Sequence, residues 1–197
     1  MRLLIIFTLL TICLAAMGQT LDSESRYTDS AGKDVLIQSS FPKGMVPLDS
    51  TGKAGYSDAT GKFFAYVVFW TRVTNETDTP LELTVNFPAV FPSPYSYLKL
   101  FLPQDTMTLD KETLINYGVT GLKSFLDTNF NKPTILQRTI KPKGESIFYI
   151  VALSSKLGNS LRARLVLKEH NLFYNIRGIG PELDTTLIPC GQIVFKK

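Results

Sequence analysis

From Phe63 to Thr74 the chain carries two interleaved sets of side chains. Phe63, Ala65, Val67, Phe69, Thr71 and Val73 form one set, and Phe64, Tyr66, Val68, Trp70, Arg72 and Thr74 the other. Both begin apolar, and the second turns polar at Arg72. Alternate residues of a β-strand point to opposite faces. This run therefore predicts a strand covered on both faces at one end and wet on one face at the other. Leu81, Leu83 and Val85 alternate with Glu82, Thr84 and Asn86, the pattern of a half-buried strand. Further strands are predicted over Tyr95–Leu102, Pro133–Ile140, Leu172–Ile176 and Thr186–Phe195. Ser146–Leu153 is nearly continuous apolar and should be central in its sheet. Leu161, Ala163, Leu165 and Leu167 alternate with Arg162, Arg164, Val166 and Lys168, which predicts one buried and one solvated strand face.

Pro88, Pro92, Pro94 and Pro103 deny a central ladder position to the run Phe87–Pro103 and place it at an edge or in a loop. Pro189 and Gly191 should interrupt the last strand. Thr108–Asp127 breaks the strand pattern. Thr108 suits a helix cap with Asp110 and Glu112 in the first turn, Gly118 suits a stop, and Val119, Leu122, Phe125 and Leu126 recur at helical spacing. One or two short helices are expected there. Many short strands separated by turns predict an all-β sandwich with a short helical insertion at about residues 108–127.

Three segments share the pattern Asp-x-x-Gly-Lys: Asp29–Lys33, Asp49–Lys53 and Asp58–Lys62. Asp opens a turn by bonding its own backbone, and Gly takes the left-handed position after it, so hairpin tips are expected. Calcium loops need more carboxylates at alternating positions than these segments offer, and each ends in a repelling Lys.

Residues 1–18 change the compartment expected for the protein. Arg2 precedes an almost unbroken apolar run from Leu3 to Ala16, and Ala16-Met17-Gly18 places small residues where a signal peptidase reads. The segment is expected to be a secretory signal peptide, with a β-sandwich domain over 19–197 and a secreted or periplasmic location. The run is shorter than the roughly 20 residues a membrane span needs, which makes a retained anchor the weaker alternative. Cys13 lies inside the apolar run, not at a lipidation box. Loss of Arg2 leaves 20 Lys and Arg against 17 Asp and Glu, a weak positive balance unlike a nucleic-acid footprint. Only Cys190 remains after cleavage, so no intrachain disulfide can form. Its place between Pro189 and Gly191 predicts a small packed hydrophobe at a kink, with a reactive thiol as the alternative.

Candidate chemistry is sparse. His170 is the single histidine and is expected at a strand junction beside Glu169 and Asn171, with no nucleophile motif near it. One His and one Cys make no ordinary zinc site, so no metal and no cofactor are implied. Gly178-Ile179-Gly180-Pro181 lacks the third glycine and the helix of a dinucleotide turn. A glycosidase needs only two acids at the right separation, and Glu82, Glu145, Glu169, Glu182 and Asp184 are available. No catalytic residue is assigned. Two binding surfaces are candidates. One is the basic stripe of Arg162, Arg164 and Lys168. The other is aromatic and contains Trp70, with Phe64 and Tyr66, and Phe91, Tyr95 and Tyr97 in the Pro-rich run, although the commoner fate of such rings is the core. Tyr95 and Tyr97 are expected to be reachable at an edge.

The segment Phe69–Leu83, with Asn75, Thr77 and Pro80-Leu81 in its turn, resembles a hairpin of bacterial exported immunoglobulin-like domains. Ile140–Ser146, with Pro142, Gly144 and Glu145 leading toward Phe148 and Tyr149, resembles the turn into a central strand of the same domains. The whole chain, leader included, is similar to secreted immunoglobulin-like β-sandwich proteins of marine Bacteroidota. The resemblance implies an immunoglobulin-like β-sandwich and no particular activity. The helical insertion departs from the plain domain. The functional expectation is a non-enzymatic binding or accessory module recognising a protein or polysaccharide, with no nucleic-acid partner and no membrane insertion after leader removal. The alternatives are a glycan hydrolase using two carboxylates and an inhibitor of an exported enzyme.

Overall fold

The computed structural model describes residues 21–28, 32, 34–44, 47–48, 55–93, 95–104, 121–156, 161–178 and 186–196. Residues 1–18 with Cys13, most of the insertion, Glu182 and Asp184 lie outside them, as do the Asp49–Lys53 turn and all of the Asp29–Lys33 turn except Gly32. In chain order the strands are β1 (Leu21–Thr28), β2 (Asp34–Ser40), β3 (Lys43–Gly44), β4 (Tyr56–Ser57), β5 (Phe63–Asn75), β6 (Leu81–Phe87) and β7 (Leu98–Phe101). Helix α1 (Leu122–Asn129) follows, then β8 (Thr134–Ile140), β9 (Glu145–Ser154), β10 (Arg162–Lys168), β11 (Asn171–Arg177) and β12 (Ile188–Phe195).

Among the described residues these strands form two antiparallel sheets packed as a β-sandwich. Sheet 1 runs β1-β2-β5-β9-β7, with the short β3 and β4 also on β5. Sheet 2 runs β10-β11-β12-β6-β8. In a plain immunoglobulin domain one sheet follows the order A-B-E-D and the other C-F-G. Sheet 1 has seven strands, with β1, β3 and β4 beside the path β2-β5-β9-β7. In sheet 2 the neighbour of β6 is the last strand, β12, with β11 and β10 beyond it and β8 on the far side.

β5 explains the double apolar pattern. Val67, Phe69 and Val73 face the core between the sheets, with Leu83, Val85, Ile150, Leu165, Tyr174 and Ile193. Phe64, Tyr66, Val68 and Trp70 face a second core on the outer side of sheet 1, with Phe101, Tyr149, Leu122 and Leu126. The outer set turns polar at Arg72, which is half-buried and pairs with Glu145 at 3.5 Å. Sheet 1 is thus a shared wall between two cores, a three-layer solution to burying both of its faces.

Helix α1 begins after Gly121, whose left-handed φ of 71° turns the chain into it, and has no side-chain cap. Leu122 and Leu126 lie one turn apart on the buried face. Phe130 follows the helix and packs on Tyr56 and Phe64, with ring centroids 5.6 and 5.3 Å apart. Burial, then a hydrogen bond to Asp127, pushes the Tyr56 phenol up to about 12. Lys99 of β7 donates to the carbonyls of Ala89 and Phe130, both at 3.0 Å, which ties the edge of sheet 1 to the end of the helix region. Desolvation lowers its pKa.

Two turns show how local chemistry sets register. Asp58 Oδ1 accepts from the amides of Thr60 (2.9 Å) and Lys62 (3.0 Å) and from the Thr60 hydroxyl (2.6 Å), closing the β4–β5 hairpin over Gly61 at φ 81°. These bonds, with Lys62, hold its carboxyl below its ordinary range. The other turn joins β5 to β6 through Asn75, which is fully buried. Its amide donates to the carbonyls of Thr79 (2.8 Å), Ile140 (3.2 Å) and Lys141 (3.0 Å). Its oxygen accepts from the Thr77 amide (3.0 Å) and hydroxyl (2.7 Å). One side chain thus clamps the β5–β6 and β8–β9 turns together.

β12 is continuous across Pro189, with a bulge at the expected interruption. Leu172 pairs with Gly191 and Phe173 with Pro189, so Cys190 is the extra residue. Pro189 precedes the stretch in which β12 pairs with β6, so that ladder needs no N–H from it. Gly191 has φ 145°, and a Cβ there would lie 1.9 Å from the Thr84 carbonyl oxygen. Only glycine allows β12 this close to β6.

Candidate arginine cleft

The tight turn Glu169-His170 joins β10 to β11 and fixes their register. Lys168 pairs with Asn171, Arg164 with Asn175 and Arg162 with Arg177. Alternation turns Ala163, Leu165 and Leu167 into the core and leaves the arginines on the outer face, because a cross-strand pair shares its face. Three guanidinium groups from two strands therefore line one small cleft, together with Asn175.

The edge strand of sheet 1 closes this cleft. Asp22 and Ser23 of β1 line it beside β10, and its volume is about 170 Å³. Arg162 Nε donates to Asp22 Oδ1 at 2.9 Å, its Nη1 to the Leu161 carbonyl at 2.7 Å, and its Cζ lies 4.8 Å from the centre of the Phe41 ring. Arg177 Nε donates to Asn175 Oδ1 at 3.3 Å. Asn175 is buried and donates to the Thr186 carbonyl at 3.0 Å, so it is itself anchored when it orients Arg177. Arg164 is exposed and has no hydrogen-bond or ion-pair partner among the described residues. Three cations against the one carboxylate of Asp22 leave the cleft with a net charge of +2. Like charges placed opposite each other on neighbouring strands are destabilising, and an anion seated in the cleft would relieve that cost.

The sequence-predicted stripe is present, and the structure divides it. Arg162 and Arg164 line the cleft, whereas Lys168 lies at the other end of β10, 5.8 Å from the Phe173 ring centre. The aromatic residues take the core alternative, and Tyr95 and Tyr97 are less reachable than expected. Trp70 is 1 % exposed in the second core, beneath the same layer that covers Phe64 and Tyr66. Tyr97 is 8 % exposed in the inter-sheet core, with the Lys156 ammonium 4.7 Å from its ring centre. The Pro-rich run does supply loop and the edge strand β7, but the rings of Tyr95 and Tyr97 turn inward. Tyr95 is half-buried against the same core, and its hydroxyl lies 3.2 Å from the Thr186 hydroxyl.

Cys190 is 1 % exposed, and burial pushes its thiol up to about 12, the state of a packed hydrophobe. His170 is exposed at the turn, where its carbonyl accepts from the Ile193 amide at 2.8 Å. Glu82 accepts from Thr139 and pairs with Lys196 at 2.6 Å, and these two partners hold its carboxyl below the ordinary range. Glu145 is taken by Arg72, and Glu169 is exposed at its turn with φ 57°. Asp22 is the one acid lining the cleft among the described residues. Sequence reading did not find Asp22, Arg177 or Asn175. Counting back from the Glu169-His170 turn places Arg177 and Asn175 opposite Arg162 and Arg164, so that signal was available. Asp22 arrives from a different sheet and carries no such signal. No described helix is long and apolar enough to cross a membrane. No family model, curated protein or solved structure matches this chain.

Proposed function

We propose that this chain is an exported, non-enzymatic binding module that recognises an anionic polysaccharide at the Arg162–Arg164–Arg177 cleft. The observation that carries the reading is the convergence of three guanidinium groups with one carboxylate, one of them without a partner. Guanidinium forks match carboxylate and other oxyanion geometry and are weakly hydrated, which suits them to a partly enclosed site. Pockets for whole small molecules measure roughly 300–1,000 Å³. A cleft of about 170 Å³ is sized for one charged group presented by a larger chain. Export rests on the leader-like residues 1–18, and the resemblance to secreted immunoglobulin-like proteins agrees with it.

The test is electrophoresis of the folded protein through native gels containing dextran, dextran sulfate or polygalacturonate. Retardation is expected in at least one acidic polymer and absent in dextran. It should weaken as salt is raised, because partly exposed charges are screened within about 10 Å at 0.1 M salt. Arg164→Gln, at an exposed position without partners, should lose most of the retardation while unfolding at the wild-type urea concentration. Equal retardation of variant and wild type would overturn the assignment, as would migration unaffected by either acidic polymer at low salt.

A further inference from the structure

Asp22 gives the cleft a second chemical demand. Its side chain is 14 % exposed and spends Oδ1 on Arg162 Nε. Its Oδ2 has no partner among the described residues, and Asp22 lines the same small cleft as Arg164 and Arg177. A carboxylate is an acceptor only, whereas a guanidinium is a donor only. The site therefore offers donors for an anion and, within the span of one small group, an acceptor that needs a donor. A ligand that brings negative charge alone meets Asp22 as a repelling charge. A ligand that brings a carboxylate and a free hydroxyl on the same unit satisfies both.

Building on the binding-module reading above, we propose that Asp22 is a specificity-determining residue that selects a sugar-acid unit, a uronate with free ring hydroxyls, over a fully esterified polyanion. The uronate carboxylate lies against Arg164 and Arg177, and a ring hydroxyl donates to Asp22 Oδ2. Sulfation replaces the hydroxyl donors of a sugar by anionic esters, so a heavily sulfated chain has nothing to offer Asp22 and is pushed away from it. Arg162 positions Asp22 through the 2.9 Å bond and is itself braced by Leu161 and Phe41.

The experiment compares wild type with Asp22→Asn by affinity electrophoresis against polygalacturonate and dextran sulfate, and reads the ratio of the two dissociation constants within each protein. That ratio does not depend on the fraction of molecules folded. Asn keeps an oxygen for Arg162 Nε but replaces the second acceptor by an N–H donor and removes the charge. Wild type should prefer polygalacturonate. The variant should lose about tenfold in that preference, with weaker polygalacturonate and stronger dextran sulfate binding, the scale of one hydrogen bond to a charged group. A ratio unchanged by the substitution would overturn this inference while leaving the anion cleft standing. Failure of wild type to bind either polymer would overturn both.

Discussion

Replacing Asn75 by alanine tests whether one polar side chain secures the junction of the two turns. Asn75 spreads two N–H bonds over the Thr79, Ile140 and Lys141 carbonyls and accepts twice from Thr77. After truncation two of those carbonyls keep another donor: the Thr77 hydroxyl reaches Thr79 at 2.8 Å, and the Gly144 amide reaches Lys141 at 3.0 Å. The Thr77 amide and the Ile140 carbonyl lose what Asn75 supplied. A buried group deprived of its partner costs about 1–3 kcal/mol, so two of them put the penalty at about 3 kcal/mol. That is a large part of the roughly 5–15 kcal/mol that holds a domain folded. Thr77→Val removes only the hydroxyl and should cost about 1 kcal/mol. The bond between the two side chains is counted in both single variants, so the double variant should fall short of their sum by about 1 kcal/mol. Urea unfolding followed by circular dichroism supplies these values, provided the slope with denaturant stays constant. A loss below about 1 kcal/mol for Asn75→Ala would refute the clamp, as would full additivity with Thr77→Val.

Two further outcomes follow from the cores. Burial raises the Cys190 thiol from 9.0 to about 12, so the unfolded chain releases that proton before the folded one does. Stability from this group is whole below pH 9 and drains as pH rises toward 12, at up to about 1.4 kcal/mol per pH unit. Urea midpoints from about pH 8 to about pH 10 should fall less steeply in Cys190→Ala, and an equally steep decline would refute the assignment. Leu126 is fully buried between α1 and sheet 1, so Leu126→Ala should cost about 2–5 kcal/mol. Trp70 is the only tryptophan and lies in the same cluster, so its emission should move to the red in the folded variant. An unshifted spectrum would mean that α1 does not seal that face.

The strands were legible wherever one face is dry and the other wet, as in β6 and β10, because alternation records that difference directly. The doubly apolar start of β5 announced cover on both sides, and α1 with its neighbours supplies it. β1 and β2 were marked only by the Asp29–Lys33 turn pattern between them. β1 runs Leu-Asp-Ser-Glu-Ser-Arg-Tyr-Thr along an edge, where little apolar surface is buried and no period appears. The Pro-rich run misled in one respect. Proline sets where backbone runs but not which way Tyr97 points, and that ring lies in the inter-sheet core. Half of the cleft could be read from the stripe on β10. Arg177 and Asn175 could have been counted from the hairpin register, whereas Asp22 depends on the meeting of two sheet edges, which leaves no periodic mark.

The shared-wall arrangement of sheet 1 bears on any attempt to simplify the protein. Trimming the excursion that carries α1 to obtain a tidier two-layer scaffold would lay bare a slab containing Phe64, Tyr66, Trp70, Phe101 and Tyr149. Contiguous aromatic area of that kind invites self-association. Peptide grafts belong in the water-facing tip Asp58–Lys62, where a Cβ on Gly61 would meet no atom within 4 Å.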